Sequence, residues 1–477
     1  MSGRTLALLI LTASAVRLAA AASVGLGVDE SYMVAAGRVW HWSYFDHPPL
    51  AWWLSHGAAS LFGSEAPVVV RLPFIALSAL STWLLFALTA RSHGRAAAGW
   101  AAICFTLAPV LSLSGGSWVL PDEPAECALL AAALALSTAL EGSALRWWLA
   151  AGAAAGLALL SKYTAALVLL GALIFLLTDA SARRHWRTAG PWAGLLVALG
   201  MQAPVLIWNA RHGWASLAFQ GGRASVIGLH PLAPLLVLAG EAAFMLPWIW
   251  LPCMVGLWRA ARGPRRGADW FFACLGAPAV LGFALVALWS PRVLFHWAAP
   301  GYLLLLPLAG AVIAARAPRL PRRIAQASAG FVLLALAGLA MASRLGWPPL
   351  IRAADIAQIA DWRGLAPALG LRDEADLPVA GLRWFDCGKI GYGLGPDRAL
   401  LCLTDDPRQF AYSTDPAAFA GRDILILAPR TSPTDAARRL AGRFERIETL
   451  PPLLLPLGMQ RLAIPLYRGI GFRPDAS

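Results

Sequence analysis

Charged side chains are scarce in this sequence. Asp, Glu, Lys and Arg make up 14% of its 477 residues, whereas a soluble domain carries roughly 25%. Apolar side chains reach 58%. Runs of about 20 apolar residues, the length that crosses a bilayer as a helix, recur up to about residue 344. This composition excludes an ordinary soluble domain and predicts a polytopic membrane protein.

Lysine is almost absent as well. Lys162 and Lys389 are the only two, and arginine supplies the remaining basic charge. The formal net charge is +13, but its distribution argues against a nucleic-acid partner, because the arginines cluster in short alternate loops, as cytoplasmic loops do. The clusters are Arg91 and Arg95; Arg183, Arg184 and Arg187; Arg259, Arg262, Arg265 and Arg266; and Arg316, Arg319, Arg322 and Arg323.

Metal-binding and nucleotide-binding patterns are also missing. The six cysteines form no Cys-x-x-Cys pair and show no zinc-type histidine spacing, and no glycine-rich phosphate loop follows a predicted strand. We therefore predict no structural metal and no cofactor. Four cysteines lie in apolar runs, whereas Cys387 and Cys402 lie in the C-terminal tail. A disulfide between these two and a pair of free thiols are both open.

The apolar runs predict about eleven transmembrane helices and hence a mainly α-helical membrane bundle. With a cytoplasmic N-terminus, the arginine clusters lie inside, and the large first loop (residues 29–66) and the tail lie outside. A cleaved signal peptide at residues 1–25 is the alternative to a first span, but the run is long for one and contains Arg17. The predicted spans are 5–27, 67–90, 96–114, 125–141, 147–161, 163–178, 190–208, 232–257, 270–289, 297–315 and 324–344.

The tail, residues 345–477, differs in character from the predicted membrane domain, residues 1–344. Strand-like segments such as DILILAP (423–429) alternate with helix-like segments such as PTDAARRLAGRFERI (433–447). This alternation predicts a small α/β domain on the outer, periplasmic side.

Two acidic pairs stand at the predicted outer ends of spans. Asp29 and Glu30 open the Trp-rich first loop, and Asp122 and Glu123 precede a later span that surfaces on the same side. Carboxylates next to hydrocarbon are costly, so we expect them to have a function. The alternative is structural, because acids at a helix start also cap free backbone N–H groups.

Short motifs follow one another through the predicted membrane domain. They are Asp29-Glu30, FDHPPL (45–50), RLP (71–73), Pro121-Asp122, LLSKYT (159–164), PVLIWN (204–209) with HGW (212–214), and HWAAP (296–300). In this order they resemble the GT-C superfamily of integral-membrane glycosyltransferases, in the bacterial branch related to protein O-mannosyltransferases and lipid A aminoarabinose transferases. The resemblance covers essentially the whole membrane part, whereas the tail is similar only in being outer and α/β-like.

The resemblance implies an inverting glycosyltransferase. It would move a sugar from a polyprenyl-phosphate donor to a lipid, glycan or protein acceptor at the periplasmic face of the bacterial inner membrane. The acceptor oxygen must lose a proton as it attacks, and Asp29 matches the family's general base. Asp122 is expected to orient substrate hydroxyls, and Glu30 to cap or support. A transporter or flippase of lipid-linked sugars is the alternative, although no internal repeat is visible.

Basic side chains near the outer ends of spans are candidates for binding the donor phosphate, whose charge grows as the sugar leaves. Lys162 is the foremost candidate, and the alternative is a lysine that extends its ammonium to the membrane interface. The further candidates for substrate binding are Glu30, His47, Tyr163, Arg292 and His296. Asp29, Asp122 and the histidines could hold an ion, but cationic side chains can serve a phosphate leaving group without one, so no metal is predicted to be required.

Two other arginines are assigned structural roles. Arg17, inside the first span, is expected to pair with backbone carbonyls or lipid headgroups. Arg71, at the start of the second span, is expected to anchor that span at the interface.

Overall fold

The computed structural model describes residues 1–142, 144–223, 225, 228–290, 292–316 and 319–474. The chain forms two compact units. The first consists of Met1–Leu18, Trp42–Ala51 and Leu72–Leu333, and the second of Ala19–His41, Trp52–Arg71 and Leu334–Ser477. Two N-terminal segments thus group with the tail. The single domain boundary after residue 344 stays a prediction.

Helices fill most of the chain before the tail. A π-helix covers Val110–Gly115, and 3-10 helices cover Arg184–Arg187 and Phe295–Ala298. The α-helices are α1 (Gly3–Ser23), α2 (Val28–Ala36), α3 (Leu50–Phe62), α4 (Pro67–Leu107), α5 (Asp122–Gly142), α6 (Leu145–Ser161), α7 (Ala165–Thr178), α8 (Ala180–Arg183), α9 (Ala189–Gly200), α10 (Ala203–Arg211), α11 (Ala215–Arg223), α12 (Ala233–Met245), α13 (Pro247–Arg262), α14 (Gly267–Val286), α15 (Ala299–Ala314) and α16 (Arg319–Leu345).

Among the described residues, six helices are long and apolar enough to cross a membrane, and counting each of three bent helix pairs as one span raises the number to nine. The long helix α4 contains the predicted span 67–90 and the first part of the predicted span 96–114. Gly94, with φ of 80°, interrupts its helical geometry between them. The predicted helical membrane bundle is confirmed. The number of about eleven spans stays a prediction.

Small residues let the helices of the first unit pack closely. A Cβ atom on Gly152 in α6 would lie 2.1 Å from the carbonyl oxygen of Gly194 in α9. A Cβ atom on Gly276 in α14 would lie 2.8 Å from the carbonyl oxygen of Gly301 in α15. Close approach through small residues is typical of helices in membranes. Helices α5 and α6 also pack side by side as a hairpin, so the start of α5 lies beside the end of α6.

The tail of the second unit contains a five-stranded sheet, so the predicted small α/β region is confirmed. The elements are α17 (Ala353–Ile356), α18 (Leu365–Gly370), β1 (Val379–Gly381), α19 (Trp384–Leu394), β2 (Leu400–Cys402), α20 (Phe410–Ser413), β3 (Ile424–Leu427), α21 (Pro433–Leu440), β4 (Arg446–Leu457) and β5 (Gln460–Ile470). Strand β1 pairs in parallel with β2 and β3, and β5 pairs antiparallel with β3 and β4, in the order β2-β1-β3-β5-β4.

A disulfide connects α19 to β2. Cys387 and Cys402 are bonded, with a Cα–Cα distance of 5.9 Å, so of the two alternatives left open by the sequence the structure contains the disulfide.

Candidate active site

A buried ion pair joins the first turn of α5 to the end of α6. The Nζ of Lys162 donates a hydrogen bond to Oδ1 of Asp122 at 2.7 Å, and the two side chains are only 8% and 15% exposed. The helical hairpin creates this pair, because Asp122 begins α5 and Lys162 directly follows α6. The sequence predicted the two residues separately, and the structure brings them together.

Two histidines lie close enough to this ion pair to interact with it electrostatically. The imidazoles of His47 and His296 both interact electrostatically with the Asp122 carboxylate. His296 also interacts electrostatically with the ammonium of Lys162. His296 is held in the 3-10 helix that leads into α15. The structure therefore groups three of the predicted site residues, Lys162, His47 and His296, around the carboxylate of a fourth, Asp122.

An arginine that the sequence analysis missed lies near the same group. Arg223, at the end of α11, interacts electrostatically with His296, and its guanidinium stacks 4.6 Å from the ring centre of Trp297. A signal was available, because Arg223 falls in a loop predicted to be outer, where the positive-inside rule makes arginine uncommon. By contrast, the predicted Arg292 lies in an exposed turn.

The first-loop motif is packed against α11. The hydroxyl groups of Tyr163 and Ser216 hydrogen-bond at 2.9 Å, and the ring of Phe45 lies 4.8 Å from that of Phe219. The side-chain amide of Gln220 donates to the carbonyl oxygen of Asp46. Tyr163 is the residue after Lys162, and its hydrogen bond to Ser216 connects this part of the site to α11.

A second cluster of charged side chains lies at the start of α5. Arg17 donates from Nε to the carbonyl oxygen of Ser112 at 3.2 Å, in agreement with its predicted pairing to backbone carbonyls. Glu123 accepts a hydrogen bond from Ser81 at 2.6 Å, and Arg17 attracts both Glu123 and Glu126. All three charged side chains are buried. The sequence did not predict this cluster.

An apolar cavity of about 420 Å³ is lined by α5, α6, α7 and α9. Leu129 in its wall lies seven residues after Asp122 in α5, which is about 10 Å along the helix axis. The cavity therefore begins within two helical turns of the Asp122–Lys162 pair.

The predicted base lies in the second unit. Asp29 is exposed in the first turn of α2, whereas the neighbouring Glu30 is buried. Oε2 of Glu30 accepts a hydrogen bond from the backbone N–H of Gly27 at 2.7 Å, so its predicted capping role is confirmed. Asp29 is thus accessible in this unit, and Glu30 stabilises the helix that carries it.

Arg71 is not the interfacial anchor that the sequence predicted. Its guanidinium is fully buried and binds both carboxylate oxygens of Glu30, at 2.7 and 2.6 Å. It also donates to the carbonyl oxygens of Val24 and Gly25. The prediction was wrong because the buried carboxylate of Glu30 binds the guanidinium at two oxygens, which a position in the headgroup region does not provide.

Among the residues that the structure describes, no group of three or more His, Cys, Asp and Glu side chains is arranged to hold a metal ion.

Known proteins resemble this chain in sequence. Residues 46–208 match the family described as dolichyl-phosphate-mannose-protein mannosyltransferase. The lipid A galacturonosyltransferase RgtD of Rhizobium johnstonii is 26% identical over 293 residues, which cover 59% of this chain and 60% of the relative. The chain thus matches less than two thirds of the length of this curated relative.

Solved structures extend the likeness to nearly the whole chain. ArnT from Cupriavidus metallidurans bound to undecaprenyl phosphate matches with a TM-score of 0.68 at 16% identity, over 98% of both chains. The apo state of ArnT gives a TM-score of 0.67. The fold is therefore that of a polytopic GT-C protein. The chain is related to the glycosyltransferases of the protein O-mannosyltransferase and ArnT branch, as the sequence motifs predict.

Proposed function

We propose that this protein is an inverting glycosyltransferase of the bacterial inner membrane. It moves a sugar from a polyprenyl-phosphate donor to an acceptor at the periplasmic face, with its N-terminus in the cytoplasm and its tail in the periplasm. The observation that carries the proposal is the buried Asp122–Lys162 pair, flanked by His47 and His296. The family match over residues 46–208 supports it.

Lys162 is suited to the leaving phosphate. One of its three N–H donors is used by Asp122, which leaves two for phosphate oxygens. Asp122 fixes the ammonium in place, so that its charge needs little reorganisation when the phosphate charge develops. Arg223 supplies a further positive charge, and His296 supplies an imidazole that can form hydrogen bonds. The apolar cavity along α5 suits an isoprenoid chain.

Asp29 is assigned as the general base. The acceptor hydroxyl attacks the anomeric carbon from the face opposite the phosphate, the bond from that carbon to the phosphate oxygen breaks, and the polyprenyl phosphate leaves. The hydroxyl proton passes to the Asp29 carboxylate. The anomeric configuration inverts because the chemistry is a single displacement.

The direct test is sugar transfer from radiolabelled polyprenyl-phosphate donors to lipid acceptors by purified protein. The donors carry galacturonic acid, aminoarabinose or mannose, because the relatives point to uronic acids, amino sugars and hexoses. Asp29→Asn retains a side-chain oxygen that can cap α2, so fold and yield should survive. Its turnover should fall by roughly 10²-fold or more, because the amide cannot accept the proton.

Wild-type turnover in Asp29→Asn, with a donor that the native protein uses, would refute the base assignment. Proteoliposomes that carry labelled lipid-linked sugar across the bilayer without transferring it would instead support a flippase.

A further inference from the structure

The second lysine of the chain is completely buried in the second unit. Lys389 lies in α19 and has 0% exposure. Its amine donates hydrogen bonds to the carbonyl oxygens of Leu26 and Ala360, the second at 3.0 Å. Leu26 belongs to the short segment that enters α2, the helix that carries Asp29. A residue of the tail is therefore bonded directly to the backbone in front of the proposed base.

Burial of the Lys389 amine disfavours its charged form. Burial lowers the pKa of its ammonium to about 7; the carboxylates of Glu30 and Asp361 oppose the shift, and the guanidiniums of Arg430 and Arg71 add to it. A methionine would fill a similar volume without burying an amine. The amine has one property that methionine lacks, because even its neutral form has two N–H donors for the two carbonyls.

Two buried basic side chains bind the backbone before α2 at three successive carbonyls, those of residues 24–26. Arg71 binds the first two at 2.8 and 2.9 Å, and Lys389 binds the third. Asp29 follows three residues after the last of these carbonyls. Because the backbone is fixed immediately before the helix, the direction in which the Asp29 side chain leaves α2 is fixed as well.

The body of α2 also rests on α19. A Cβ atom on Gly388 would lie 2.8 Å from the backbone N of Tyr32, and one on Gly391 would lie 3.1 Å from the Cβ of Ala35. The hydroxyl of Tyr32 accepts a hydrogen bond from the backbone N–H of Gln409 at 3.0 Å. Lys389 is thus part of a helix surface that is shaped to receive α2.

We propose that Lys389 is a positioning residue for Asp29: it fixes the backbone that enters α2 and so aims the base at the acceptor hydroxyl. This inference rests on the proposed function, in which Asp29 accepts the proton. It assigns a residue of the C-terminal tail a part in the chemistry. The competing explanation is that Lys389 only stabilises the fold.

The test is a double-mutant cycle on the full-length protein, with Lys389→Met, Asp29→Asn and the combined variant. Lys389→Met should lower kcat by about 10- to 100-fold, because a misplaced catalytic group costs this much, while the KM for the donor changes little. In the Asp29→Asn background the same substitution should have almost no further effect on kcat, because the group that it aims is gone. Arg438→Met, at an exposed position in the same tail, is the matched control and should behave like wild type.

Each outcome of the cycle has a defined meaning. Equal losses of kcat from Lys389→Met in both backgrounds would overturn the inference and leave a structural role. If Asp29→Asn itself keeps wild-type turnover, the proposed base is wrong and this inference falls with it, whereas a deficient Asp29→Asn with additive losses refutes the positioning role alone. Should Lys389→Met fail to give monodisperse protein, Lys389→Gln enters the same cycle, because its amide retains two N–H donors without the charge. A loss of kcat in Lys389→Gln that is absent in the Asp29→Asn background supports the inference, and equal losses in both backgrounds refute it. Where both variants fold, Lys389→Gln should retain more kcat than Lys389→Met, and wild-type kcat in a folded Lys389→Met would also refute the inference.

Discussion

Removing the charge of Lys162 should separate the stability of this protein from its activity. Lys162→Met deletes the ammonium and leaves the Asp122 carboxylate, which is 15% exposed, without its cation. Removing one partner of a buried ion pair costs about 3–5 kcal/mol, because the remaining charge is uncompensated. The double variant Lys162→Met/Asp122→Asn buries no such charge, so it should regain most of that free energy of unfolding.

Activity should follow a different order. Both variants lack the cation that we assign to the leaving phosphate, so each should transfer sugar on the order of 10²-fold more slowly than wild type, by analogy with the loss of one oxyanion donor. Asp122→Asn alone should be less damaging to turnover than Asp29→Asn, because Asp122 is assigned to orientation rather than to proton transfer. Recovered stability without recovered turnover would show that the slow transfer by Lys162→Met does not result from a destabilised fold.

The assay is thermal unfolding in detergent, followed by tryptophan fluorescence, alongside transfer from a radiolabelled donor. Arg91→Met is the matched control, because Arg91 pairs with Glu141 at 2.7 Å at the surface, where the side chains are 41% and 70% exposed. Such exposed pairs contribute about 0–1 kcal/mol. The reasoning would be refuted if Lys162→Met were as stable as wild type, or if the double variant restored transfer.

Two further predictions concern topology and pH. Cysteines introduced as Ser60→Cys and Thr434→Cys should react with an impermeant thiol reagent in intact spheroplasts, whereas Pro264→Cys should not, and labelling at residue 264 would invert the proposed orientation. The folded pKa of Lys389, about 7 against an ordinary 10.5, means that the unfolded chain binds more protons between these values. Stability contributed by this site should therefore rise with pH. The stability of wild type relative to Lys389→Met should increase from pH 6.5 to pH 9 in thermal unfolding, and a constant difference would contradict it.

The elements that the sequence predicted well depend on local physics. Apolar runs of membrane-spanning length form helices, because backbone N–H and C=O groups in hydrocarbon can find hydrogen-bond partners only within the segment. Acids suit the first turn of a helix for an equally local reason, and Asp29 and Asp122 both occupy that turn. The mixed pattern after residue 345 identified the α/β tail in the same way.

The partners of individual charged residues were beyond local reasoning. Lys162 was identified as the important lysine, but nothing in its neighbours indicates that Asp122, 40 residues earlier, is its partner. Arg71 was expected at the interface because it begins a span, whereas the folded chain provides Glu30, 41 residues away, as a buried carboxylate. Composition identified both arginine and lysine as unevenly used without showing what each one binds.

The sequence by itself determined that this protein is a helical membrane protein with an α/β tail, and its motifs determined the family resemblance, because both are written in runs and short spacings. Only the tertiary structure decided that Lys389 bonds to Leu26, across 363 residues. That hydrogen bond exists because two segments distant in the chain fold into one unit. A contact between distant segments produces no periodic pattern in the sequence. Hydrophobic pattern specifies which side chains leave water, but the partner of a buried charge is set by which backbone and carboxylate oxygens the fold brings within about 3 Å.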